Sequence, residues 1–145
     1  MDGLHPVVCE VMPNALENLM WLDLQHNQLT KISSEICEFK KLKALYIHCN
    51  YIHQLQEFEK LGHLEHLRSL TVHGNPIDRI EGFRLILIGL LPHVKKLDTV
   101  LVTKKEVDNA KYANDFLGLG GKLPSYKGKD LPKPAGSKDG KKSKD

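Results

Sequence analysis

The sequence predicts an α/β solenoid: a short right-handed horseshoe with parallel strands on its concave face, helical turns on its convex face, a C-terminal cap and a disordered or extended tail. Three observations predict it. The pattern Leu-x-x-Leu-x-apolar-x-x-Asn-x-apolar occurs three times: Leu19, Leu22, Leu24, Asn27, Leu29; Leu42, Leu45, Ile47, Asn50, Ile52; and Leu67, Leu70, Val72, Asn75, Ile77. The starts are separated by 23 and then 25 residues, a period typical of stacked strand-and-turn repeats. The chain has 145 residues, 41% of them apolar and 27% charged, enough for one modest core.

Each element follows from this pattern. Residues 1–18 hold only the later half of a preceding repeat, with Val11, Pro13 and Leu16 leading into Leu19. A complete N-terminal cap is missing from the pattern, which leaves three alternatives: a partner covers this edge, residues Leu4 to Val11 fold back on it, or the gene product starts elsewhere. In residues 19–102 the apolar pairs two apart (Leu22 and Leu24, Leu45 and Ile47, Leu70 and Val72) put both side chains on one face of a short strand. The Asn after each strand carries a short amide able to pair backbone groups that the turn would bury, so the three Asn residues should form an internal ladder. Parallel strands need a return path on the opposite side. Ile32, Ile36, Phe39 and Leu55, Phe58, Leu61, Leu64 have the three-to-four spacing of helical turns.

No repeat buries its apolar side alone, so the ends need covers. Val94 and Leu97 occupy the columns of Leu67 and Leu70, but Asp98-Thr99 replaces the usual continuation, which reads as a degenerate last repeat. Thr103-Lys104-Lys105-Glu106 has the form of a capping box, so residues 103–117 are read as a capping helix packed through Val107, Ala110 and Phe116. Residues 118–145 form a separate tail with eight Lys against three Asp. With a formal charge of +3 for the chain, the tail carries +5 and the rest −2.

These residues resemble the cytosolic, SDS22-like class of leucine-rich repeat proteins, whose cap signature stands here as Asn75-Pro76-Ile77, Phe83-Arg84 and Leu91-Pro92-His93-Val94-Lys95-Lys96-Leu97-Asp98. The resemblance spans about residues 12–108. Within the class, Glu17–Leu24 and Leu70–Pro76 are most similar to a member associated with cilia. The resemblance implies a non-enzymatic adaptor, cytoplasmic and within the ciliary or flagellar axoneme, that holds other axonemal proteins through its strand-lined surface. The alternatives are a nucleic-acid-associated scaffold and a phosphatase regulatory subunit using the same concave surface.

Geometry points to the same surface. Residues flanking the buried pair of each strand face outward, giving Trp21, Asp23 and Gln25, then Ala44, Tyr46 and His48, then Ser69, Thr71 and His73, with Lys96 and Asp98 extending onto the cap. Rows lie about 4.8 Å apart, so Trp21, Asp23, Gln25, Tyr46, His48, Thr71, His73 and Lys96 form the expected partner-binding patch. Two aromatic anchors among polar groups suit a protein partner. Tail contacts are expected from Lys122, Tyr126, Lys127, Lys129 and Lys133, against an acidic surface such as tubulin. The tail contains no Arg, which weighs against sequence-specific nucleic-acid readout.

Other chemistries find little support. His48 and His73 share a column, but no third metal ligand is evident and Cys49 is one residue out of phase. His63 and His66 read as surface residues. There is no nucleophile elbow, and Gly118-Leu119-Gly120-Gly121-Lys122 is followed by Leu123 where a phosphate loop needs Ser or Thr. No catalytic residue, cofactor or metal is expected. Cys9, Cys37 and Cys49 are odd in number without a C-x-x-C spacing, so reduced thiols are expected. The longest apolar run, Leu85–Leu91, is far short of the roughly 20 residues of a membrane span. The start lacks a basic patch followed by an apolar run, so a cytosolic setting is expected.

Overall fold

The computed structural model describes residues 14–117 and 123–128. A four-residue helix α1 (Ala15–Asn18) leads into β1 (Trp21–Asp23), followed by β2 (Ala44–Tyr46), β3 (Ser69–Thr71), α2 (Phe83–Leu90), β4 (Lys96–Leu97), β5 (Val100–Leu101) and α3 (Lys104–Leu117). The five strands form one sheet in sequential order. β1 to β4 are parallel and in the repeat register, with Leu22 beside Leu45, Leu45 beside Leu70, and Leu70 beside Leu97. The return paths are 3-10 helices, Ser34–Glu38, Leu55–His63 and Pro76–Arg79. Their three-residue turn brings Ile36 and Phe39, or Leu55, Phe58 and Leu61, onto one buried side.

The core lies between the strands and these turns. Leu42, Leu45, Ile47, Ile52, Leu55, Phe58, Leu61, Leu64, Leu67, Leu70 and Val72 are all fully buried. The Asn ladder is present in two of its three positions. Asn50 donates to Leu24 O and Ile47 O at 3.0 and 2.9 Å and accepts from Leu29 N at 3.1 Å. Asn75 donates to Ile47 O and Val72 O at 3.0 and 2.7 Å and accepts from Ile52 N at 3.0 Å. Each amide thus stitches its own repeat to the one before. Asn27 is exposed, and among the described residues it donates to Leu24 O and Gln25 O of its own repeat.

The residue before each Asn takes a left-handed backbone: His26 at φ 55°, Cys49 at φ 60° and Gly74 at φ 74°. At Gly74 an added Cβ would lie 3.0 Å from Cys49 Sγ, so glycine there serves both the turn and the close approach of neighbouring repeats.

The C-terminal cap closes by a device absent from the sequence reading. Asp98 and Thr99 both have positive φ, 52° and 66°, and join β4 to the antiparallel β5 with Lys96 opposite Leu101 and Leu97 opposite Val100. This is the two-residue hairpin geometry usually made by Asn-Gly. The Asp98 carboxylate offsets the unfavourable backbone by accepting from Val72 N at 2.6 Å and His73 N at 3.0 Å, so it satisfies the amides just past β3.

α3 begins with the expected capping box. Glu106 N donates to Thr103 Oγ1 at 3.2 Å, and Thr103 N donates to Glu106 Oε2 at 2.9 Å. Arg84 joins α2 to this box, its Nε 2.7 Å from Glu106 Oε1 and its Nη1 3.0 Å from Leu97 O. The Arg84 guanidinium and the Thr103 amide hold the Glu106 carboxyl down to about 2. Ala110 is buried and Val107 packs against the core, whereas the Phe116 side chain lies outside the described set. Among the described residues no helix is long and apolar enough to cross a membrane.

The described part of the tail, residues 123–128, docks as an extended segment. Leu123 is only 6% exposed and belongs to the core cluster, and Ser125 forms an antiparallel bridge with Gln54 on the convex flank. This one buried leucine anchors the segment to the core. Lys122, Lys129 and Lys133, and the glycine run at 118–122, lie outside the described residues, as do residues 1–13 of the N-terminal edge.

Candidate functional site

Strand pairing arranges the concave face in rows. The first is Trp21, Ala44, Ser69 and Lys96; the second is Asp23, Tyr46 and Thr71. The same register continues to Gln25, His48 and His73, held by Leu24 N to Tyr46 O at 2.7 Å and Cys49 N to His73 O at 2.9 Å. The structure therefore brings all eight expected residues onto one face.

Their accessibility differs. Trp21 is 63% exposed, and Asp23, His73 and Lys96 are exposed. Tyr46, His48 and Gln25 are half-buried. Thr71 is only 5% exposed, with its hydroxyl 2.8 Å from His48 Nδ1; it supports the face from below. Asp98, expected to extend the surface, is largely engaged by the Val72 and His73 amides and lies 3.3 Å from His73 Nδ1.

A single hydrogen-bonded line crosses three strands. Gln25 Nε2 donates to Asp23 Oδ2 at 2.7 Å, which turns the Gln25 carbonyl oxygen toward His48 Nε2 at 2.5 Å. That assigns His48 the Nε2–H tautomer, leaving Nδ1 to accept from the Thr71 hydroxyl. The His73 ring stacks on His48 with centroids 4.6 Å apart, and His26 meets it edge-on at 5.8 Å. Desolvation, then the neighbouring His73, pushes the His48 pKa below its ordinary value. Stacked rings turn their nitrogens sideways. Among the described residues no three His, Cys, Asp or Glu side chains converge as a metal site.

In the cap, desolvation likewise lowers the pKa of His93, whose Nε2 is buried and has no hydrogen-bond partner among the described residues. Both histidines are neutral in the fold and titrate more readily once unfolded, where the ordinary value near 6.5 applies. The unfolded chain then binds more protons. Stability is complete above pH 6.5 and is lost as pH falls through the lowered folded values. A calorimetric series should show Tm falling from pH 7 toward pH 5, with a shallower slope in His93→Gln; a flat profile would contradict the assignment.

Sequence reasoning missed Leu101. It lies opposite Lys96, so it extends the first row by one strand, and it is 68% exposed. Only the Asp98-Thr99 turn could have signalled it, and that pair lacks the glycine that marks such hairpins.

Parallel rungs, an Asn ladder and 3-10 return turns make a leucine-rich repeat solenoid, and a family model described as leucine rich repeat matches residues 17–77. The chain is similar to the proteins named Leucine-rich repeat-containing protein 51. It is 46% identical to that of Bos taurus over 90 residues, 62% of this chain and 47% of that one, and 44% identical to that of Rattus norvegicus over 110 residues, 76% and 57%. It thus spans about half the length of these relatives. Among solved structures, the fold is similar to the Drosophila melanogaster SNF/U2A' complex (TM-score 0.64, 21% identity, 69% of this chain and 62% of that one). It is also similar to the Mex67 LRR domain from Chaetomium thermophilum (TM-score 0.59, 16% identity, 72% and 78%).

Proposed function

We propose that the protein is a non-enzymatic adaptor in a microtubule-based ciliary assembly, gripping a protein partner with its concave face. The observation that carries this reading is the presence of an exposed Trp21 and a half-buried Tyr46 on one face whose polar groups are already ordered by the Asp23–Gln25–His48–Thr71 line. A preordered surface loses little freedom when a partner docks, and aromatic anchors carry a large share of binding energy. The cytoplasmic and axonemal setting rests on the resemblance to the cilium-associated member, and the basic tail adds electrostatic attraction to acidic surfaces such as tubulin.

Photo-crosslinkers placed at Tyr46 on the concave face and at Glu59 on the convex face test this in isolated axonemes and nuclei. Axonemal proteins captured from Tyr46 support the reading; capture confined to Glu59 overturns it. RNA captured from nuclei with steep salt dependence would favour the nucleic-acid scaffold instead. Trp21→Ala combined with Tyr46→Ala should leave the melting transition in place and weaken the captured partner by at least about 2 kcal/mol, roughly thirtyfold in Kd.

A further inference from the structure

The convex flank carries a contact that the concave reading does not use. Residues Leu123–Gly128 lie along the stretch His53–Leu55, at the entrance to the second 3-10 helix. Tyr126 N donates to His53 O at 2.8 Å, Leu55 N donates to Pro124 O at 3.3 Å, and Ser125 bridges Gln54 in antiparallel sense. At one end Leu123 is sunk in the core cluster. At the other, Arg79 Nη1 donates to the Tyr126 hydroxyl at 2.9 Å while its guanidinium lies 5.3 Å from the ring centroid. Gly128 folds over that ring so closely that a Cβ there would overlap the Tyr126 hydroxyl.

These are the components of an extended-peptide site. Main-chain hydrogen bonds supply affinity, and side-chain pockets at fixed intervals supply selectivity. One pocket takes an aliphatic side chain, one takes a phenol three residues later, and a glycine follows two residues after that. The cleft continues past the segment as a pocket of about 200 Å³ bordered by Tyr51, Pro76, Asp78 and Arg79. In antiparallel pairing the chain after Tyr126 runs toward Tyr51, so a longer peptide would extend toward it.

We infer that this flank is a peptide-binding site for Leu-x-x-Tyr-x-Gly segments, filled in cis by the protein's own Leu123–Gly128 and open to a segment of the same chemistry from another chain. Occupancy in cis is favoured because attachment gives the segment a high effective concentration, of order millimolar for a short link. Displacement in trans frees the Tyr126 segment from the repeats. The proposal stands independently of the concave reading.

The test uses the full-length chain and a fluorescent nonapeptide copying residues 121–129. Its anisotropy is titrated against the wild type, Tyr126→Ala and Leu123→Asp. Tyr126→Ala keeps the core leucine, so it remains informative where Leu123→Asp fails to fold. The peptide should bind Tyr126→Ala at least tenfold more tightly than the wild type. Adding Arg79→Ala should weaken that binding at least threefold, and a peptide with Ala for Tyr or Val for the second-following Gly should not bind. In the wild type, saturating peptide should accelerate hydrogen exchange at the Tyr126 amide and leave the Leu55 amide protected, since peptide replaces the cis acceptor. Equal binding to the wild type and Tyr126→Ala, no binding to either, or no effect of Arg79→Ala overturns the proposal.

Discussion

Leu45→Asp is expected to abolish the cooperative unfolding transition and drive the chain into the insoluble fraction. Leu45 is fully buried at the centre of β2, beside Leu22 of the preceding repeat and Leu70 of the following one. A carboxylate placed there loses its hydration and meets only apolar neighbours, so it either stays charged at a penalty of several kcal/mol or takes up a proton at comparable cost. The lost leucine contacts add about 2–5 kcal/mol. Against a typical domain stability of about 5–15 kcal/mol, the sum removes most or all of the margin. Circular dichroism melts of Leu45→Asp beside Leu45→Met check it, because the methionine should cost less than about 1.5 kcal/mol. A soluble Asp variant melting with the wild type would mean that β2 presents the opposite face to the core.

The repeat was legible because its columns follow a two-residue period on the strand and a fixed interval between strands, so one pattern sets both register and curvature. The capping box Thr103–Glu106 was legible for a similar reason: it is local, and its partners lie three residues apart. What sequence did not disclose depends on distance or on unusual backbone. Arg84 reaches Leu97 O and Glu106 across the cap. Asp98-Thr99 makes a hairpin without glycine because backbone amides of the neighbouring repeat stabilise the Asp98 side chain. The tail's docking rests on Leu123, whose lysine-rich surroundings gave no sign of burial. On the concave face the rows could be predicted, whereas the concealment of Thr71 under His48 could not, since it depends on which rotamers close the line from Asp23 to Thr71.

The three Asn residues give the second large effect, and they separate the sequence pattern from its physical consequence. They are identical in the repeat, so pattern alone predicts equal cost for replacing each by Ala. The structure predicts otherwise. Asn75→Ala leaves Ile52 N without its acceptor and Val72 O without its side-chain donor, both within the buried turn, while Ile47 O keeps Asn50. An orphaned buried polar group costs roughly 1–3 kcal/mol, so a total of roughly 3 kcal/mol or more is expected, or about 10 °C in Tm for a domain of this size. Asn50→Ala should cost less, about 1–3 kcal/mol, because it uncouples Leu29 N while Leu24 O keeps Asn27 and Ile47 O keeps Asn75 as donor. Asn27→Ala should stay within about 0.5 kcal/mol: Asn27 is exposed, and Leu24 O keeps Asn50 as donor. Urea titrations of the three variants measure the hierarchy directly. A cost at Asn27 equal to that at Asn75 would mean that the N-terminal edge is covered in solution by a further rung to which Asn27 is stitched.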